Sequence, residues 1–465
     1  MKNLFLDTGI LDKRANTEFK LSSEILMENA ARGMLEFLLP RVNPNSKILL
    51  VCGSGDNGAD CLALARMLYK ITNISIYLPF GTKSALSKLQ LERLNAVGEN
   101  LCFLQQLEGE FDIIIDGLFG SGLKGALNAE SLNLLKQLNQ KKGIKIACDI
   151  PSGILKDGKI PNIAFQADFT LTMGALKSAL YLDSTKDFVG EVHLLSLGVA
   201  ESVFAPESPI KLLECSDFKP PFREKQNTNK GNFGHLCVCA GEKQGAGILC
   251  ALSGLRSGCG LVSVLNANHL PFSLMQATEI PKNTTAIALG MGLGATKIPL
   301  LKDYDIPLLL DADIFYHKEF LELLTQHNTI LTPHPKEFTQ ILKTLNLAEI
   351  STQDLQLDRI AYALQFSTHY PKSVLVLKGA NTIIAYQENV YINPFGNNVL
   401  AKGGSGDVLA GMISGLLAQG LGLLDSALQG VLLHSFCAES YLKTSNNFSL
   451  SPLDLIEQIR YIKQF

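Results

Sequence analysis

The sequence predicts an α/β protein of two domains, each built on a mostly parallel sheet with helices on both faces. Three observations carry that prediction. Short apolar runs alternate with segments of helical periodicity through nearly the whole chain. The runs are continuously apolar rather than alternating with polar residues, the pattern of strands buried on both faces. A polar, Pro-containing stretch over residues 206–230, "PESPIKLLECSDFKPPFREKQNTNK", interrupts the alternation and reads as a linker. Domains over residues 1–210 and 225–465 follow.

In the first half, residues 21–39 form an amphipathic helix, with Ser22 or Ser23 able to cap its start. Strands are expected over residues 47–53, 73–79, 111–117, 144–150, 169–173 and 191–197. In the second half they are expected over 235–241, 261–265, 286–290, 307–313, 329–333 and 373–379. A short hairpin, "TIIAYQ" and "VYIN", comes next, and helices near 405–419, 424–442 and 452–463 end the chain. In open sheets of this kind, ligand sites lie at the C-terminal ends of the strands.

Composition narrows the function classes. Of 465 residues, 46% are hydrophobic and 18% charged, which suits a soluble globular chain long enough for two or three domains. The net charge of -3 and the lack of a basic block argue against nucleic acid or an anionic membrane as partner. The N-terminus has no signal-peptide pattern, and no apolar run is long enough to cross a bilayer. The ten cysteines include no C-x-x-C pair and read as reduced core residues of a cytoplasmic protein.

The first glycine-rich turn is "VCGSGDNGAD" (51–60), which spells G-x-G-x-x-G. A dinucleotide loop of that spelling uses backbone N–H groups to hold a pyrophosphate, with an acid on the next strand for the ribose. Here the next strand ends "IYLPFGTK", without an acid, and Asp56 and Asp60 would repel a pyrophosphate. Glycines serving only a tight turn are the other reading. The loop has company, however. "IIIDGLFGSGLKG" places Asp116 at a strand end before a second glycine-rich loop, and "CDIPSG" places Asp149 and Ser152 at a third. Asn57, Asp116, Asp149 and Ser152 thus converge on one crevice able to take a ligand and a hard monovalent cation. Asp149 is the candidate general acid or base.

In the second half the sharpest string is "AKGGSGDVLAG" (401–411). N–H groups at the start of a helix can stabilise a moving phosphoryl group while Asp407 takes a proton from a hydroxyl. A glycine turn capped by Asp407 is the alternative. "LKGANT" offers Lys378 and small residues for close approach to a nucleotide. "LTPHPKEF" places His334 and Glu337 near the same edge. "DAD" supplies Asp311 and Asp313, which could hold magnesium through water or act as caps.

These strings resemble a known family. "LMENAARG", "GSGDNGAD", "IDGLFGSGLKG" and "DIPSG" are similar to the epimerase domain of the NAD(P)H-hydrate repair enzymes. "GAGILCALSGLRSGCGLVSV", "DAD", "LTPHPKEF", "LKGANT" and "AKGGSGD" resemble, in order, the ADP-dependent dehydratases of the ribokinase-like fold. Fusion of the two is itself a family architecture. The resemblance implies an N-terminal Rossmann-like three-layer αβα sandwich and a C-terminal ribokinase-like αβα domain. It implies repair of hydrated NADH and NADPH: epimerisation of the R and S forms, then ADP-dependent dehydration of the S form to the reduced cofactor, AMP and phosphate.

By the same resemblance, Asp56, Asn57, Gly58, Ala59, Asp60, the loop Gly120, Ser121, Gly122, Leu123, Lys124, Gly125 and Ala126, and Asp149 would meet the hydrate in the first domain. Asn57, Asp116 and Ser152 would bind potassium, and Asp149 would sit at the reacting carbon. In the second domain Ala246, Gly294, His334 and Asp407 would contact the hydrate. Lys378, Gly379, Ala380, Asn381, Thr382 and Gly406 would hold the adenine nucleotide, with magnesium as cofactor. A homo-oligomer is expected. The family's first loop usually reads G-x-G-N-N-G-G-D-G, so Asp56, Ala59 and Cys61 depart from it, as does Lys336 in "TPHPKEF". A vitamin-precursor kinase carrying a non-catalytic Rossmann-like module is the competing function.

Overall fold

A computed structural model describes residues 1–463. Two compact units are present, one spanning Asn3–Ser208 and the other running from Pro209 onward together with Met1–Lys2.

The first unit is built on a parallel sheet of seven strands: β1 (Lys47–Cys52), β2 (Asn73–Tyr77), β3 (Cys102–Leu104), β4 (Ile113–Gly117), β5 (Ile144–Cys148), β6 (Phe169–Met173) and β7 (Glu191–Leu195). Their order across the sheet is β3-β2-β1-β4-β5-β6-β7. The switch point therefore falls at β1 and β4, where a crevice opens beyond the strand ends. Continuous apolar runs have a direct cause here. Ile48, Leu50 and Cys52 of β1 enter one core with helices α2 (Ser23–Leu38) and α3 (Asp56–Leu68), following α1 (Gly9–Thr17). Leu49 and Val51 enter the opposite core with Leu134, Leu135 and Leu138 of α5 (Ala129–Gln140), which follows α4 (Ala85–Val97). Neither face of the strand meets water, so no polar residue is called for. Truncating any one of these leucines to Ala should cost about 2–5 kcal/mol. Ser22 caps α2 through the Ile25 N–H, as its sequence position suggested.

The second unit carries β8 (Ile210–Leu212), β9 (His235–Cys239), β10 (Leu261–Leu265), β11 (Met275–Ala277), β12 (Ala286–Leu289), β13 (Leu308–Leu310), β14 (Thr329–Leu331), β15 (Ser373–Leu377), β16 (Thr382–Tyr386) and β17 (Asn389–Asn393). The order is β11-β10-β9-β12-β13-β14-β15-β16-β17-β8. Strands are parallel as far as β15, and β16 pairs antiparallel with both neighbours, as the predicted hairpin requires. Helices α6 (Gln244–Arg256), α7 (Pro335–Thr344), α8 (Arg359–His369), α9 (Ser405–Ala418), α10 (Leu423–Leu442) and α11 (Pro452–Gln458) surround it. Helix α9 is almost wholly buried, which explains its all-round apolar sequence.

The stretch read as a linker is structured as far as Phe218, while residues 219–229 carry no helix or strand. Within it, β8 pairs with β17, and Leu213 and Phe218 are buried in the core of the second unit. That unit therefore starts at Pro209 rather than at residue 225. The short edge strand β11 was not foreseen. All ten cysteines are free, and only Cys102 and Cys215 are exposed. Among the described residues no helix is long and apolar enough to cross a membrane.

Candidate active sites

In the first unit a cleft of about 630 Å³ opens at the C-terminal ends of β1, β4 and β5. The β1–α3 turn forms one wall. Its three glycines have separate jobs. A side chain on Gly53 would begin 1.9 Å from the Leu118 carbonyl, and one on Gly58 would begin 1.9 Å from the Gly53 carbonyl. Both are needed for close backbone packing. Gly55 faces open space, at the start of α3. The turn thus presents Asp56, Asn57 and Asp60 to the cleft, while Ala59 and Cys61 are fully buried behind it.

Asp116 ends β4 without any exposure to solvent. Its Oδ2 accepts from the Ser152 N–H at 2.8 Å, and its Oδ1 accepts from the Ser152 hydroxyl at 2.7 Å and the Leu118 N–H at 3.2 Å. Burial pushes its pKa up to about 7 against those bonds. Ser152 Oγ in turn accepts from the Phe119 N–H at 2.9 Å. Asn57 lies against the second glycine-rich loop, for a side chain on Gly120 would begin 3.1 Å from its Oδ1. The buried Asn57 amide nitrogen has no hydrogen-bond partner.

Asp149 occupies a backbone conformation with φ of +70°, which costs an L-residue roughly 1–2 kcal/mol and is a common mark of a functional position. Its Oδ1 accepts from Lys177 Nζ at 2.6 Å, from the Met173 N–H at 3.1 Å and from the Thr172 hydroxyl at 3.4 Å. The Lys177 side chain is 7% exposed, and Nζ also donates to Thr172 Oγ1 at 2.9 Å and the Met173 carbonyl at 3.3 Å. Asp60 and Asp12 line the same cleft. Burial raises both carboxyls, Asp60 well above its ordinary range, and the charges of neighbouring acids, Asp149 included, add to each. The second loop brings Gly120, Ser121, Gly122, Leu123 and Lys124 to the cleft; Gly58, Ala59, Gly125 and Ala126 do not line it.

In the second unit Lys378 is the hub. It follows β15, and its Nζ donates to Asp311 Oδ1 at 2.9 Å. Its charge reaches Glu337, Asp407, His334 and His434. A side chain on Gly406 would begin 3.5 Å from Lys378 Nζ. The lysine therefore stands at the N-terminus of α9, where Gly404 takes φ of +92° and Gly403 has open space beside it. Asp407, in the first turn of α9, is pushed up to about 6 by burial and by Asp311, with Lys378 opposing. A base with that pKa is matched to work near neutral pH.

His334 and Glu337 form the capping box of α7. His334 Nδ1 accepts from the Glu337 N–H at 3.2 Å, and Glu337 accepts from the His334 N–H at 2.7 Å. The imidazole proton is thereby placed on Nε2. Burial pushes Glu337 up to about 7. Gly294 is held by the Asp313 carboxylate on its N–H at 3.1 Å and by His317 on its carbonyl at 3.0 Å. Ala246, half-buried in the first turn of α6, lies beside this loop, since a side chain on Gly292 would begin 3.2 Å from its Cβ. Gly379 and Ala380 are exposed at the β15–β16 turn, Thr382 opens β16, and Asn381 is buried. Asp311 and Asp313 are both engaged by protein groups. No cluster of three His, Cys, Asp or Glu side chains among the described residues is arranged to hold a metal.

Four residues escaped the sequence reading. Lys177 lies far along the chain from Asp149, with no local motif to announce it. Arg359 is buried and donates to the carbonyls of Leu377, Lys378 and Asn381, fixing the β15–β16 turn. His434, buried in α10, donates Nε2–H to the Ser405 carbonyl at 3.0 Å; burial pushes its pKa down to about 4 and keeps it neutral. Glu242 accepts from the Ala295 N–H at 3.1 Å and pins the Gly294 loop.

Comparison with known proteins gives concordant results. Residues 236–461 match the family described as NAD(P)H-hydrate dehydratase, and residues 23–179 match the one described as YjeF-related protein N-terminus. The bifunctional NAD(P)H-hydrate repair enzyme Nnr of Helicobacter pylori is 43% identical, covering 99% of this chain and 100% of that protein. Its namesake in Coxiella burnetii is 32% identical, covering 97% of each. Among solved structures, the ADP/ATP-dependent NAD(P)H-hydrate dehydratase of Bacillus subtilis, co-crystallised with ATP and magnesium, covers 53% of this chain and 94% of its own at 28% identity, with a TM-score of 0.45.

Proposed function

The chain belongs to the bifunctional NAD(P)H-hydrate repair enzymes, and from that premise we propose a division of labour between its two units. The first interconverts the R and S epimers of hydrated NADH and NADPH. The second dehydrates the S epimer at the expense of ADP, giving NADH or NADPH, AMP and phosphate.

The observation that carries this reading is Asp407. It is a partly buried acid at the N-terminus of a long helix, with Lys378 alongside. Hydroxide is a poor leaving group and phosphate a good one. Asp407 takes the proton of the C6 hydroxyl as that oxygen attacks the terminal phosphoryl of ADP. The N–H groups of Gly404 to Gly406 and the Lys378 ammonium offset the charge on the moving phosphoryl. Loss of phosphate from C6 and of a proton from C5 then restores the ring double bond. Arg359 and His434 hold the two loops in place for this step.

Two ions belong to the proposal. Asn57, Asp116 and Ser152 carry amide, carboxylate and hydroxyl oxygens, the ligand type a potassium ion takes, and Asp116 and Ser152 are in direct contact. The ion would supply a fixed positive charge beside the acid-rich cleft. Magnesium would reach the second unit on the nucleotide phosphates, because Asp311 and Asp313 are already engaged. The cytoplasmic location and homo-oligomeric state expected from the sequence belong to the same reading; cell fractionation and sedimentation test them.

The assay is direct. Purified R and S hydrates are incubated separately with the protein, ADP and magnesium, and nicotinamide absorbance is followed. Recovery from both, faster than spontaneous epimerisation allows for R, is the expected result. A persistent phosphorylated product would instead indicate a kinase.

A further inference from the structure

We propose that Lys177 is a catalytic residue of the first unit and forms a single acid–base pair with Asp149. The inference rests on the epimerase reading of this cleft and goes beyond it by naming a second reacting group.

The geometry singles out this lysine. It is buried, yet it lines the cleft. Its ammonium contacts Asp149 Oδ1 at 2.6 Å, and Met173 and Thr172 donate to the same oxygen. Oδ1 is thereby occupied on three sides, and Asp149 Oδ2 is the oxygen left to the cleft. The aspartate is held in a left-handed backbone conformation that aims it there. The loosest of the lysine's three contacts, 3.3 Å to the Met173 carbonyl, is the one a substrate oxygen can replace. No other cation shares the carboxylate, since Lys177 is its one ion-pair partner among the described residues.

The chemistry needs such a pair. The reacting carbon, C6, carries a hydroxyl and is bonded to N1. Lys177 donates a proton to the hydroxyl oxygen; the C6–O bond breaks, and water leaves with the bonding electrons. The N1 lone pair forms an N1=C6 double bond, giving a planar centre. Water then adds to the opposite face. Its oxygen forms the new C6–O bond, the π electrons return to N1, and Asp149 Oδ2 takes the released proton. Transfer from the Asp149 carboxyl to the Lys177 amine, which are in contact, restores both groups. One water leaves and one enters, so no outside reagent is required.

The test uses the full-length protein. For Lys177→Ala, epimerisation of the R hydrate should fall by about a hundredfold or more. Dehydration of the S hydrate by the second unit should stay at the wild-type rate, which controls for protein amount and for folding of that unit. Lys177→Arg keeps the charge and the pairing but is too weak an acid to give up a proton. It should remain as slow as Lys177→Ala. Added ethylamine should restore part of the Lys177→Ala rate, and a more acidic amine should restore more. Epimerisation by Lys177→Arg within about threefold of wild type would overturn the proposal, reducing Lys177 to a positioning role. A Lys177→Ala rate near wild type would overturn it too. A wild-type protein that dehydrates S but never interconverts the epimers would overturn the underlying reading instead.

Discussion

Each unit places a buried lysine–aspartate pair at the C-terminal ends of its parallel strands, but the pairs are wired differently. In the first unit Lys177 is committed to Asp149, and that acid itself faces the cleft. In the second, Lys378 contacts Asp311, a buried acid, while its charge is shared with Glu337, His334 and Asp407. Asp407 is left without a direct partner and is pushed up to about 6. The same two residue types therefore give one pair poised to pass a proton back and forth and one scaffold around a lone base. Epimerisation needs an acid and a base that exchange places, whereas phosphoryl transfer needs a base and a fixed positive charge.

The largest effect expected from disturbing this contrast comes from Lys378→Met. It leaves Asp311 buried without its cation, and the second unit should lose about 3–5 kcal/mol. Denaturant unfolding followed by a probe in that unit measures it, and restoration by a second change, Asp311→Leu, would identify the cause. A smaller effect distinguishes the glycines of the first turn. Gly53→Ala must displace the Leu118 backbone and should cost about 1–3 kcal/mol or more, while Gly55→Ala meets open space and should leave thermal stability within a degree or two.

The pH dependence separates the units without mutation. Asp407 acts as carboxylate, so dehydration of bound S hydrate should be level above about pH 7 and fall about tenfold per pH unit well below its pKa of about 6. A flat profile down to pH 4.5 would remove Asp407 as the base. The smallest effect concerns Asp56, which is exposed and lines the cleft proposed to take the phosphate-bearing hydrate. Asp56→Asn removes a like charge in water and should lower the KM of the epimerase by no more than about threefold.

How much of this the sequence held can be said residue by residue. Asp116, Asp149, Ser152 and Asp407 were legible because each ends an apolar strand or opens an apolar helix among glycines and prolines. The role of the glycines in "VCGSGDNGAD" was not. Spelling cannot tell Gly53 and Gly58, which serve packing, from Gly55, which serves the cleft. Ala59 and Cys61, two of the three departures from the usual loop, turn inward, so only Asp56 changes the surface a ligand meets. The first part of the stretch 206–230 escapes the sequence because prolines and charges mask the short run around Ile210, whose strand forms by pairing with strands distant in the chain, Asn389–Asn393 among them. Lys177, Arg359 and His434 were invisible for a common reason: each acts on a partner distant in sequence, and a single buried polar side chain leaves no periodic trace.

Two acid groups run two separable reactions, and one crossed measurement tells them apart. Asp149→Asn and Asp407→Asn are each given the R hydrate, then the S hydrate, with ADP and magnesium, and recovery of nicotinamide absorbance is timed. Asp149→Asn should recover S at the wild-type rate but R only as fast as R epimerises spontaneously. Asp407→Asn should recover neither, yet should still interconvert the two epimers. Wild-type recovery of R by Asp149→Asn, or of S by Asp407→Asn, would contradict that assignment.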